Sequence, residues 1–106
     1  MPISDNCEYA IIWEFRVRPE FQSQFEQVYG PGGDWVQLFR SGEGYLRTEL
    51  MCDYDIPCRY VTIDYWRSRR AYDAFRRQYG FEYSRIDKRC EGMTQSETEV
   101  GSFGRL

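Results

Sequence analysis

Histidine is absent from this chain, and its four cysteines, at positions 7, 52, 58 and 90, form no CxxC pair. No metal site of the usual Cys/His spacings can be drawn from such a set. Nor does the chain contain a phosphate-binding loop or a nucleophile paired with a histidine base. The side chains left for chemistry are carboxylates, arginines and rings. They concentrate in RYVTIDYWRSRRAYDAFRR, residues 59–77, which opens as an alternating strand around Asp64 and closes as a helix carrying arginines. Two kinds of chemistry suit that stretch: a basic helix reading nucleic acid, or a strand–helix joint binding a small molecule.

On a helical wheel Ala71, Tyr72, Phe75 and Tyr79 share one side, and Arg69, Arg70, Arg76 and Arg77 lie opposite. Asp73 stands three or four residues from each of these arginines, where it can pair with them. A groove-reading helix has no acid at the centre of its basic face. Residues 67–89 hold eight basic and three acidic side chains, yet the whole chain carries −3. The arginine face therefore reads as solvated, and nucleic acid is not an expected partner.

The surrounding elements follow from periodicity. EYAIIWEFRV (8–17) alternates as a strand. PEFQSQFEQVYG changes to a helical period and stops at Gly30-Pro31. Asp34 and Gln37 have capping-box spacing before Trp35, Leu38 and Phe39. Residues 44–54 and 59–66 read as two strands joined by a turn around Pro57. Ser68 is a candidate N-cap for a helix to Tyr79, ended by Gly80. A further helical piece spans Tyr83 to Cys90, and residues 94–103 close as a polar strand. The 106 residues make one domain, 1–106, of α+β class: a ferredoxin-like βαββαβ chain with a four-stranded antiparallel sheet in the spatial order 4-1-3-2. No membrane span is present, no signal peptide opens the chain, and the thiols read as reduced, so a cytoplasmic protein is expected.

Two helices cover one sheet face, here assigned to Tyr9, Ile11, Trp13 and Phe15 with Leu46, Leu50, Val61, Ile63 and Tyr65. The other face then receives Ile12, Met51, Tyr60, Thr62, Asp64, Trp66, Glu97, Glu99 and Phe103, among others. Such a mixture of rings and charges left in water is a large patch. A symmetric homodimer is expected to cover it.

Three stretches, FEQVYGPGGDWVQLF, RYVTIDYWRSRRAYDAF and ETEVGSF, together resemble the antibiotic-biosynthesis monooxygenase family. The strongest element is Tyr65-Trp66-x-Ser68 followed by Tyr72 and Phe75. The resemblance implies protomers pairing as a dimeric α+β barrel, with a pocket between sheet and helices. Quinone-forming members oxidise polycyclic phenols with molecular oxygen and no metal, flavin or haem, so no cofactor is expected. The family's site residues correspond to Trp66, Tyr72, Thr62 (where the family places an Asn) and Arg85. Haem-degrading relatives need a histidine ligand, which is missing here.

A phenolate reacts readily with oxygen, so the protein need only bind the ring, take its proton and exclude water. Trp66, Trp13 and Trp35 can stack rings, Tyr72 can relay a proton, and Arg85 can stabilise a phenolate. Tyr65 and Phe75 complete the ring-binding set. The base must be Asp64, Glu14 or an activated tyrosine. The competing reading is a non-catalytic module of the same fold that binds a small aromatic molecule or assembles with itself.

Overall fold

The computed structural model describes residues 4–106. Strand β1 (Tyr9–Val17) leads through a 3-10 turn, Pro19–Phe21, into helix α1 (Gln22–Tyr29). Proline at the first position of that turn has no N–H to leave unpaired. Helix α2 (Asp34–Phe39) follows, then strands β2 (Tyr45–Cys52) and β3 (Arg59–Trp66). Helices α3 (Arg69–Gln78) and α4 (Gly80–Cys90) precede the last strand, β4 (Thr94–Gly104). Ser68 caps α3 as predicted, its Oγ accepting from the Ala71 amide at 3.0 Å. Asp34 does not cap α2. The cap is Gly33, and Gln37 Nε2 instead donates to the Gly32 carbonyl at 3.1 Å.

The strands bond in the order β2-β3-β1-β4, all antiparallel. This is the predicted ferredoxin-like sheet. It is open. β2 and β4 are its two edges and do not pair with each other, so the closed α+β barrel implied by the resemblance is corrected to an open four-stranded sheet. Closing a barrel takes about eight strands at a consistent tilt, twice what this chain supplies.

Register corrects the predicted faces. Tyr9 lies opposite Trp66, Ile11 opposite Asp64, Trp13 opposite Thr62 and Phe15 opposite Tyr60. Tyr60, Thr62, Asp64 and Trp66 therefore point toward the helices and are buried, while Val61, Ile63 and Tyr65 take the uncovered face. An extra residue, Leu46, in β2 turns Tyr45 inward and leaves Leu46 exposed. In β4, extra residues at Gln95 and Val100 set Glu97 opposite Phe15 and Glu99 opposite Trp13. Both acids thus lie on the helix side, because each bulge adds one residue to a period of two.

Rings fill the space between sheet and helices. Phe25 stacks on Tyr29 with centroids 4.1 Å apart, and Phe15 meets both edge-on. At the other end Trp66 packs among Phe39, Tyr45, Tyr72 and Phe75. Gly42 makes that packing feasible: a Cβ there would lie 2.8 Å from Phe75 Cδ1 and 2.9 Å from Trp66 Cζ3.

On the uncovered face Arg59 Nε meets Glu14 at 2.5 Å, and its Nη1 meets Asp53 at 2.7 Å. Amide donors from Ile56 and Asp55, joined by Arg59, hold the Asp53 carboxyl down at about 2. Among the described residues the four cysteines are free, and no helix is long and apolar enough to cross a membrane.

Candidate functional site

The centre of β3 places two polar residues, Thr62 and Asp64, inside an otherwise aromatic layer. Asp64 is 8% exposed. Burial favours its neutral form and raises its carboxyl to about 6, against a smaller opposing effect of the hydrogen bond from Thr48. Thr48 Oγ1 donates to Asp64 Oδ1 at 2.7 Å, and Tyr45 Oη stands 2.8 Å from the same Oγ1. A hydroxyl has one hydrogen. Since Thr48 gives its own to Asp64, Tyr45 must donate to Thr48, and the relay runs Tyr45, Thr48, Asp64. Asp64 Oδ2 accepts no hydrogen bond among the described residues.

Asp64 lines a cavity whose walls come from every layer of the fold. β1 supplies Trp13 and Phe15, the first two helices Tyr29, Trp35 and Phe39, β2 Thr48 and β3 Thr62. α4 adds Tyr83 and Asp87, one turn apart, and β4 adds Glu97. The cavity measures about 40 Å³. That holds a few waters, whereas sites for ring-sized ligands run to about 300 Å³ or more, so a ligand must part the walls. Partial desolvation against the rings, then the neighbouring Asp87, raises the Glu97 carboxyl, although the residue remains exposed at the cavity's open side. Burial also raises the phenol of Tyr83.

The structure brings four of the predicted residues together: Trp13, Trp35, Thr62 and Asp64 all line this cavity. Trp66, Tyr72 and Phe75 form an adjoining cluster instead. Trp66 is 0% exposed, 4.9 Å from Phe75 and 5.5 Å from Tyr72 between centroids. Phe39 joins the two regions, 5.8 Å from Trp66 and 5.8 Å from Trp35. The indole N–H groups of Trp35 and Trp66 are buried without an acceptor among the described residues. Tyr65 sits on the uncovered face beneath the Arg47 guanidinium, 3.9 Å from its ring centroid. Arg85 is exposed on a surface groove with Glu82, Lys88 and Arg89, away from the cavity. Glu14 is on the uncovered face with Arg59.

Sequence reasoning missed Arg76, Tyr83, Asp87 and Glu97. Arg76 Nη1 donates to Tyr72 Oη at 2.9 Å, and its guanidinium lies 3.8 Å from the Tyr83 ring centroid. It belongs to α3's supposed solvated face yet turns to α4, and Asp73 makes no ion pair among the described residues. The signal for Tyr83 and Asp87 was their spacing of four on a helix. Glu97 gave none, because the bulges decide its side.

Residues 9–82 match the family described as antibiotic biosynthesis monooxygenase. The chain belongs to this family. Among solved structures it is similar to a mutant of SnoaB, a cofactor-independent oxygenase from Streptomyces nogalater. That likeness has 22% identity over 96% of this chain and 94% of that one, with a TM-score of 0.73. A Pseudomonas aeruginosa protein shares 18% identity over 97% and 98% of the two chains, at a TM-score of 0.68. A Methanosarcina mazei protein shares 15% over 96% of each, at 0.70. At these identities the likenesses show the fold. No curated protein matches the chain in sequence. In this antibiotic biosynthesis monooxygenase member, the matched segment holds β1 to β3 and Asp64 but ends before Asp87 and Glu97.

Proposed function

We propose that the chain is a cofactor-independent monooxygenase that converts an electron-rich phenol into a quinone, with Asp64 as its base. One observation carries this reading: a buried carboxylate with a free oxygen, raised to about 6, in a cavity walled by aromatic rings. A group of that pKa is ionised near neutrality and basic enough to accept a phenolic proton in the transition state. The phenolate gives an electron pair to oxygen, forming a carbon–oxygen bond at a ring carbon. Cleavage of the resulting O–O bond, with loss of the proton from that carbon, leaves a quinone and one water. Ring oxidation supplies both electron pairs, so no external reductant is needed. Trp13 and Trp35 hold the ring, and Thr62 offers it a hydroxyl.

We also propose that the working form is a homodimer. The support is the uncovered sheet face, where Met51 and Phe103 are exposed beside Ile12, Val61, Ile63 and Tyr65. Native mass spectrometry reads this directly, and a monomer at working concentrations would sink it.

Oxygen uptake with a tricyclic phenol, in chelator-treated buffer, tests the reaction. The rate should rise with pH through about 6 as Asp64 ionises. Equal uptake by wild type and Asp64→Asn would end the assignment of the base. Binding of the phenol without uptake would instead support a non-catalytic ligand module.

A further inference from the structure

The cavity of the proposed oxygenase has an unbalanced charge. Its lining includes three carboxylates, Asp64, Asp87 and Glu97, and no lysine or arginine. Asp87 and Glu97 form no ion pair among the described residues. The nearby cation Arg76 donates to the Tyr72 hydroxyl and lies over the Tyr83 ring, and it acts on Asp87 only through space, without an ion pair among the described residues. Asp64, more than nine-tenths buried, faces the same space with an unpartnered oxygen. Desolvation, then the neighbouring Asp87, makes the charged form of Glu97 costly, a cost that a cation beside it removes.

We propose that the cavity takes a phenol bearing a protonated amine, with the ammonium between Asp87 and Glu97 and the phenol toward Asp64. This deepens the function proposed above and rests on it. Aromatic walls with carboxylates at the open side suit an organic cation, which gains both from ring faces and from the charges. A metal ion fits less well: among the described residues no three His, Cys, Asp or Glu side chains are placed to share one. An anionic substrate meets only repulsion.

Three para-substituted phenols of one size separate the possibilities: tyramine, para-ethylphenol and para-hydroxyphenylacetate, which are cationic, neutral and anionic at about pH 7.5. Calorimetric titration of the full chain should give tyramine about tenfold tighter binding than para-ethylphenol, with the anion weakest. Glu97→Gln and Asp87→Asn should each bring the affinity ratio of tyramine to para-ethylphenol close to one. The wild-type series decides the question even if a variant fails to fold. Equal affinities, or a preference for the anion, would overturn the ammonium site and leave the aromatic cavity standing. Absence of binding by all three would overturn the cavity as the site, and this inference with it.

Discussion

Two neighbouring regions on the helix side of the sheet are built from the same residue types and behave differently. Around Trp66 the rings of Phe39, Tyr45, Tyr72 and Phe75 close completely, and the indole has no exposed surface. Around Asp64 the rings of Trp13, Trp35, Phe39 and Tyr83 leave a gap lined by carboxylates. Only the polar residues differ in kind. A carboxylate in the middle of a strand cannot be packed over by apolar groups without a cost of several kcal/mol, so space remains where Asp64 stands. Ring count alone says little about a site; the polar group that interrupts the rings says where it is.

The largest expected effect tests the closed side. Trp66→Ala should lower unfolding stability by about 3–5 kcal/mol in urea melts. A loss under about 1 kcal/mol, joined to a loss of ligand binding, would make Trp66 part of the site and erase the distinction. On the open side, Asp64→Asn should cut oxygen uptake at least about a hundredfold while the chain stays folded.

The same substitution should change stability in the opposite sense. The Asp64 carboxyl titrates at 3.8 when unfolded and at about 6 when folded, so between those values the native state binds more protons. Stability from this group therefore falls as pH rises from about 4 to 6, by about 2–3 kcal/mol. Asp64→Asn should be more stable than wild type at pH near 7.5 and should lose that advantage by about pH 4. A difference that does not vary with pH would show that Asp64 is not held in its neutral form by burial. Glu97 shifts in the same direction, whereas Asp53 and Glu8 shift in the other, so only the wild-type-minus-variant difference isolates the group. The smallest effect is Ser68→Ala, about 1 kcal/mol from loss of the α3 cap, with ligand affinity unchanged because α3 carries the closed cluster.

Much of this was legible in the sequence. The alternation of β1, the span of β3, the Ser68 cap and the sheet order follow from local pattern. Trp13, Trp35, Thr62 and Asp64, each singled out as a candidate in the sequence, line one cavity. The faces of β3 were not legible, because Val61, Ile63 and Tyr65 are the more apolar set, yet pairing with β1 turns Thr62 and Asp64 inward. Hydrophobicity ranks residues singly, while register moves a whole strand at once. Arg76 was hidden for a related reason: a helix wheel shows a face but not the neighbouring helix, and beside Tyr72 on its own helix its other partner, Tyr83, lies on α4.

The two bulges of β4 cancel each other. Thr94 and Ser102, outside them, sit on the helix side at even numbers, while Glu97 and Glu99, between them, reach that side at odd numbers. Without the bulges, a continuous ladder running from the Thr94–Val17 pair would set Glu97 opposite Glu14 and Glu99 opposite Ile12, on the uncovered face. The charge of the cavity thus depends on the placement of two residues that do not line it. Relatives that bulge this strand at other positions would be expected to differ in which substrates they admit.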